Sequence, residues 1–341
     1  MALRLTYKLI LLGLLLGSTV EARTAYLDSA RVSAVRRMQT ALFNDHFTEA
    51  RSVAAGVQDA YPGEPLGYLL EAAALVGEMT SFEENRYPDR LRRLVDTVIA
   101  LTGSIADTAD NHTKAWMMLF QGEATAYQAI WESHFGSMAS AIRLAFSGKR
   151  CYSDGLKYDS SLYDLYLGMG LYHYWKSVKA GPLRWIGVFH NDIDKGIDEI
   201  YIAADSARLF DDLARMSLIY VWEHREKYDS VITICREILR RYPDGSNPLW
   251  PMAKAYFEKQ DYESSLSVYE ELRAYLSDRV GNYYNLVECD YGIHECLARL
   301  QRAGEARRAA QRVADYYVDI PRKTRIELRG KINYLRRAAK R

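Results

Sequence analysis

The stretch that decides the fold is residues 213–245, LARMSLIYVWEHREKYDSVITICREILRRYPDG. When Trp222 is placed on Tyr256, this stretch superimposes on the segment that contains residues 249–276, LWPMAKAYFEKQDYESSLSVYEELRAYL. In each copy a first segment with helical apolar periodicity ends at a charged turn, and a second such segment follows. A helix–turn–helix unit that recurs with a period of about 34 residues predicts an all-α solenoid.

Helix-stopping prolines recur at a fixed distance from the start of the second helix. Tyr228 and Pro243 are separated by the same interval as Phe47 and Pro62. Near the carboxyl end, Pro321 is the corresponding stop, but this copy follows its neighbour at a longer interval than the other copies do. The pattern predicts about six hairpins, with about ten residues inserted before the last one.

These segments resemble the tetratricopeptide repeat (TPR) family, whose pattern is W-x2-L-G-x2-Y, then A-x3-F, then a proline. Tyr166, Met169, Gly170 and His173 fit its first helix, so Gly170 is expected where two helices approach closely. The resemblance implies a right-handed superhelical solenoid of antiparallel hairpins over residues 23–321. A helical superhelix of another family is the alternative.

The hairpin at residues 166–204 contains about fourteen residues more than the period allows, near 176–191. This insertion is apolar, and Pro182, Trp185 and Phe189 are its candidate contact residues, either folded onto the solenoid or exposed. The hairpin locally resembles the inclusion-body-clearance (Iml-type) branch of TPR proteins. The match rests on Gly181-Pro182-Leu183, Gly187-Val188-Phe189 and Asp192 to Gly196, covers only this hairpin and carries no function with it. Asp192 or Asp194 is expected to cap the second helix.

Residues 1–22 have the pattern of a signal peptide. Arg4 and Lys8 precede an apolar run from Leu9 to Val20, and a small residue, Ala22, marks the predicted cleavage point. The run is shorter than the roughly 20 residues that a spanning helix needs. We therefore expect export to a bacterial periplasm or the outer membrane, with an uncleaved anchor or an apolar first helix as the alternative. Four cysteines are too few for a disulfide scaffold, so the fold depends on its core.

Charge is balanced overall but uneven along the chain. The formal net charge is +1, which gives no reason to expect nucleic acid as a partner. Basic residues outnumber acidic ones strongly in residues 302–341. The basic end, 322–341, predicts one C-terminal helix with Ile326, Ile332 and Leu335 on its apolar side. It either caps the solenoid or contacts anionic lipid or an acidic partner.

No motif for catalysis or metal binding occurs in the sequence. CxxC, HExxH and GxSxG are absent, and HNDIDKGIDE lacks the calcium-loop spacing. Gly168 and Gly170 lie within a helical pattern, which excludes a phosphate loop. We therefore expect no catalytic residues, metal or cofactor. A hydrolase with a cryptic site would need a deep pocket of clustered titratable groups.

The concave groove of such a solenoid is the expected binding surface, for a peptide segment or a partner protein. The TPR resemblance places six candidate residues there: Met216, Tyr220, His224, Trp250, Lys254 and Phe257. The sequence thus favours a non-enzymatic protein-binding scaffold. The alternative is a peripheral membrane-associated assembly factor that uses the basic C-terminal helix and the apolar insertion.

Overall fold

Helices form all of the regular secondary structure in the residues that the structure describes, which are 26–179, 191–278 and 281–340. The structure is a computed structural model. The helices are α1 (Ser29–Phe43), α2 (Phe47–Ala60), α3 (Pro65–Phe82), α4 (Pro88–Ala106), α5 (Asn111–Phe135), α6 (Met138–Tyr158), α7 (Leu165–Lys179), α8 (Ile193–Ser206), α9 (Asp211–His224), α10 (Tyr228–Arg241), α11 (Leu249–Glu258), α12 (Tyr262–Ser277), α13 (Tyr283–Arg299), α14 (Ala303–Asp315), α15 (Arg322–Glu327) and α16 (Arg329–Ala338). A short 3₁₀ turn, Tyr317–Asp319, precedes α15.

Neighbouring helices pack in pairs, from α1 with α2 to α13 with α14. Each pair also contacts the next pair, and the first helices of successive hairpins meet at α1 with α3, α3 with α5, α5 with α7 and α9 with α11. Contacts that run from each unit to its neighbours are typical of a helical solenoid, so the predicted all-α solenoid is confirmed.

Four hairpin turns share one backbone geometry. In each, a residue other than glycine with positive φ lies two positions after the last residue of the first helix: Asp45 (58°), Glu226 (57°), Gln260 (63°) and Gln301 (60°). The next residue donates its N–H to a carbonyl in the last turn of that helix, which satisfies an orphan acceptor of the helix end. These bonds are His46 to Ala41, Lys227 to Trp222, Asp261 to Tyr256 and Arg302 to Leu297. The second helix then begins shortly after the positive-φ residue, at Phe47, Tyr228, Tyr262 and Ala303.

Gly170 lies where α7 and α8 approach each other, as the sequence pattern predicts. A Cβ at Gly170 would lie 2.6 Å from the carbonyl oxygen of Gly196 and 2.9 Å from the backbone nitrogen of Ile200. A Cβ at Gly196 would in turn lie 2.6 Å from the backbone nitrogen of Tyr174. The absence of side chains at both glycines allows the helices to come this close.

The predicted insertion follows α7. Pro182, Trp185 and Phe189 lie outside the described residues. Asp192 precedes α8 at the N-cap position, but its side chain makes no capping hydrogen bond. Its carboxylate instead pairs with Lys176, and that hydrogen bond lowers the pKa of Asp192. The expected capping role is therefore replaced by an ion pair that ties the two ends of the insertion together.

Apolar burial differs along the chain. One cluster of buried residues extends from Leu27 to Val221 and joins α1 through α9. Beyond it, smaller separate clusters hold α9 to α13, α12 to α14, and α13 to α16. The four cysteines are buried free thiols.

The basic C-terminal segment forms two helices, α15 and α16, rather than the single helix that was expected. Leu328, Ile332 and Leu335 are buried against the last hairpin. Ile326 is 64% exposed, so its predicted place on the apolar side was wrong, because the break at Leu328 turns the two helices differently. Among the described helices, none combines the length and hydropathy that a bilayer span requires.

Candidate functional site

The six predicted groove residues fall into two groups. Tyr220, His224 and Lys254 are exposed, whereas Met216, Trp250 and Phe257 are half-buried. Trp250 packs on the cluster between α9 and α13, and Phe257 packs on the cluster between α12 and α14. The three half-buried side chains therefore contribute to the joints between hairpins and present only part of their surface to a partner.

Tyr220 lies midway along α9, at the spacing that puts it on one face with Met216 and His224. Its side chain is 48% exposed, yet desolvation, followed by the charge of Glu223, raises its pKa to about 12.

His224 is anchored to the preceding hairpin. Its Nδ1 lies 2.9 Å from the Tyr174 hydroxyl, which is also 3.2 Å from the carbonyl oxygen of Val221. The hydroxyl has one proton and the carbonyl can only accept, so both bonds require that Nδ1 of His224 carries a proton. The Trp175 ring meets the imidazole edge-on at 5.6 Å. His224 is thus held through Nδ1, and its side chain remains exposed at the end of α9.

Lys254 on α11 crosses to α9 and contacts Glu223 at 2.6 Å. This hydrogen bond raises the pKa of Lys254. Beside it, the Phe257 ring meets Tyr262 edge-on at 5.2 Å, and the Arg299 guanidinium lies over it at 5.9 Å. The faces of α9 and α11 together therefore present the rings of Tyr220 and Phe257 beside the ion pair that Lys254 and Glu223 form between the two helices.

In the N-terminal hairpins the corresponding surface is apolar and largely closed. The first helices α1, α3 and α5 line a cavity of about 200 Å³, which Leu209, Phe210 and Leu213 border from the start of α9. The polar side chains at its wall include Gln39, Thr80 and Tyr127.

The connection 207–210 closes this cavity and is held from two sides. The buried carboxylate of Asp164 accepts the backbone N–H groups of Arg208, Leu209 and Phe210 at 2.9, 2.7 and 3.0 Å. Gln39 on α1 donates to the carbonyl of Leu209 at 2.7 Å.

Arg36 fastens α1 to the same connection. Its guanidinium donates to the carbonyl of Arg208 at 2.7 Å and to the carboxylate of Asp211 at 2.5 Å. Sequence reasoning missed Arg36, Gln39 and Asp164. A polar Gln39 amid the apolar side of α1 was a signal of a buried hydrogen bond, but not of its partner.

A second link joins the first hairpin turn to the loop after α10. The backbone N–H of Ser246 donates to Asp45 at 3.0 Å, and Tyr275 donates to the same carboxylate at 3.2 Å. The side chain of Asn44 accepts from the backbone N–H of Asp244 at 3.0 Å. Phe43 meets Tyr242 edge-on at 5.0 Å. The first hairpin therefore contacts residues that are far from it along the chain.

Several pairs of titratable side chains have the residue types that acid–base chemistry uses, among them His173 with Glu199 at 2.6 Å and two pairs that involve α5. Glu123 is buried and accepts from the Tyr152 hydroxyl at 2.9 Å, and desolvation raises its pKa to about 7. Nδ1 of His112 lies 2.6 Å from Asp159, while its Nε2 accepts from Trp116 at 3.2 Å. Both nitrogens of His112 are thus occupied within the fold. No group of three or more His, Cys, Asp or Glu side chains among the described residues is placed to hold a metal ion.

Comparison with protein-family models and with curated protein sequences finds no match to this chain.

Proposed function

We propose that this protein is a non-enzymatic TPR-type scaffold that binds an extended segment of a partner protein on the faces of α9 and α11. The observation that carries the proposal is the position of Tyr220, a half-exposed phenol on the face of α9 beside the Lys254–Glu223 pair that joins α9 to α11. Aromatic side chains held in this way are favoured anchors for a partner because they add contact area at low entropic cost.

The assignment to the TPR type is supported by the period of about 34 residues, which is the length of that repeat. It is also supported by the shared turn at Asp45, Glu226, Gln260 and Gln301. The superhelical arrangement is supported by the contacts between α1 and the start of α9. A straight stack of hairpins would keep these elements apart, whereas a coiled stack brings them together.

Export is part of the same proposal and rests on the pattern of residues 1–22. It predicts that the protein recovered from the bacterial periplasm, or from its outer membrane fraction, begins at Arg23. Amino-terminal sequencing of the fractionated protein tests it, and recovery of intact Met1 would contradict cleavage.

Crosslinking from the groove tests the binding function. A photoreactive amino acid in place of Tyr220 should yield a discrete adduct in cells, while the same replacement of exposed Glu237 on α10 should not. Identical adducts from both positions, or none from 220, would count against the proposal.

A paired variant separates binding from folding. With the photoreactive amino acid placed at exposed His224 instead, Tyr220→Ala with Lys254→Ala should abolish the adduct while helicity is unchanged, because both replaced side chains are exposed. Trp250→Ala is less informative, since Trp250 also packs between hairpins. Loss of helicity in the double variant would identify Tyr220 as a structural residue instead.

A further inference from the structure

The outer side of α6 has a row of exposed apolar side chains. Met138, Ile142 and Phe146 are 61%, 51% and 54% exposed and recur at every fourth residue, so they share one side of the helix. No other helix of the described chain exposes three large apolar side chains at this spacing. The opposite side of α6 packs on α5 and α7.

Cations flank this row. Arg143, Lys149, Arg150 and Lys157 lie on α6, against a single acid, Asp154, which pairs with Lys157 at 2.6 Å. Lys149 and Arg150 have no carboxylate partner within ion-pair distance among the described residues. They line a notch of about 340 Å³ together with Phe146, Tyr172, Ser153 and the Asp154–Lys157 pair, so its cations outnumber its one carboxylate.

The opposite end of the apolar row, at the start of α6, also has a cation beside it. Phe146 meets Tyr172 of α7 edge-on at 5.8 Å, and a Cβ at Gly155 would touch Leu165 at 2.8 Å, so α6 and α7 run antiparallel. The last turn of α7, with exposed Lys179, therefore lies beside the first turns of α6.

We infer that the outer side of α6 binds the surface of a membrane that contains anionic phospholipid. An apolar row between cations is the pattern of a helix that lies in the plane of the interface. In this geometry Met138, Ile142 and Phe146 enter the headgroup region, and Lys149 and Arg150 meet phosphate groups at the notch. The basic C-terminal segment is a poorer candidate, because Leu328, Ile332 and Leu335 are already buried against the last hairpin.

Vesicle co-sedimentation of the full chain tests the charge contribution. Vesicles of phosphatidylcholine alone are compared with an equimolar mixture of phosphatidylcholine and phosphatidylglycerol. The readout is the ratio of binding to the two, compared between variant and wild type, since the N-terminal run with Arg4 and Lys8 contributes equally to both proteins. Lys149→Gln with Arg150→Gln should lower the ratio roughly 25-fold, about fivefold for each cation.

The matched control is Arg307→Gln with Arg308→Gln, two exposed arginines on α14, which should leave the ratio unchanged. An equal loss in both double variants, or no preference of the wild-type protein for the anionic vesicles, would overturn the inference. Inorganic phosphate at millimolar concentration should not compete. Full competition by it would assign the notch to a free anion and also overturn the inference.

An environment-sensitive fluorophore tests the apolar contribution. Ile142→Cys can be labelled selectively because the native cysteines are buried. Its emission should shift to the blue on addition of anionic vesicles, whereas a label at exposed Thr233→Cys on α10 should not respond. Emission that is already blue-shifted without vesicles would mean that another part of this chain covers α6, which rules out the lipid contact.

Discussion

The N-terminal hairpins and the C-terminal hairpins use the same turn but bury their apolar surface differently. From Leu27 to Val221 one cluster runs through α1 to α9, and it includes the side chains where the first helices face one another. From α9 to α16 the burial is divided into separate clusters between neighbouring hairpins. The first part thus has one continuous core, whereas the second has several smaller clusters and is also tied to the first hairpin, as by the cluster of Phe43, Ile238 and Tyr242.

This difference in burial determines which inner surface remains accessible to a partner. In the first part, the connection 207–210 and Leu213 cover the inner surface that α1, α3 and α5 form. In the second part the face around Tyr220 remains half-exposed. The same repeat therefore provides rigidity in one part and an accessible surface in the other.

The largest expected effect is on the connection 207–210. Asp164→Ala leaves three backbone N–H groups, two of them buried, without this acceptor and should destabilise the fold by about 3–5 kcal/mol. Chemical denaturation measures the change. Asp164→Asn is the control. It retains the oxygen that accepts from the N–H groups of Leu209 and Phe210, so it should lower the unfolding free energy by less. Equal stability of all three proteins would mean that this clamp does not hold the two elements together.

The next effect is a pH dependence confined to the N-terminal part. Burial raises the pKa of Glu123 from 4.5 to about 7, so the folded protein retains a proton that the unfolded chain releases between these values. Stability from this group is therefore full below about pH 4.5 and declines as pH rises through 7, by roughly 3 kcal/mol in total.

Unfolding free energies of wild type and Glu123→Gln, measured from pH 5 to 8, test this dependence. The gap between the two proteins should widen in favour of the variant as pH rises. Parallel curves would mean that Glu123 titrates normally.

A smaller effect on stability is expected when a glycine is replaced by alanine, and its sign should differ between the N-terminal and the C-terminal hairpins. Gly170→Ala forces a methyl group against backbone atoms of α8 and should cost about 1–3 kcal/mol. At Gly304 on α14 a Cβ meets nothing within 4 Å, so Gly304→Ala should gain about 0.4–1 kcal/mol. Thermal melting of both variants measures the contrast, and a gain at Gly170 would show that α7 and α8 can separate without cost.

The smallest expected effect is at the proposed groove. Tyr220→Ala and Lys254→Ala should each change stability by no more than about 0.5 kcal/mol, because one side chain is half-exposed and the other forms an exposed ion pair. Denaturation midpoints measure this. A loss of several kcal/mol at Tyr220 would remove the contrast between the open and the closed surface.

Local features of the fold were predictable from the sequence, and distant contacts were not. The starts of α2, α10 and α12 follow from aromatic residues at matching positions of the repeat. The close approach at Gly170 likewise follows from its place in the repeat. These features depend on residues near one another in the chain, where periodicity and turn chemistry are informative.

The contacts of Arg36, Gln39 and Asp164 with the connection 207–210 were not predictable, because periodicity does not encode which hairpins meet after the chain has turned. For the same reason the sequence placed groove residues by repeat position alone. Repeat position could not predict that Tyr220 is exposed whereas the Trp250 ring packs against the neighbouring hairpin.

The link between α1 and the start of α9 has a consequence for how this chain can change in length. Because Arg36 and Gln39 must reach residues 208–211, the number of hairpins between them is fixed. Insertion or deletion of one whole repeat between α1 and α9 would move residues 208–211 away from Arg36 and Gln39 by the length of one hairpin, and these hydrogen bonds would be lost. The same limit extends beyond α12, because Asn285 on α13 donates to the carbonyl of Ser81 at 2.7 Å and Lys323 on α15 lies over the Phe135 ring at 4.9 Å. Duplication of a repeat before these residues would separate them from their N-terminal partners.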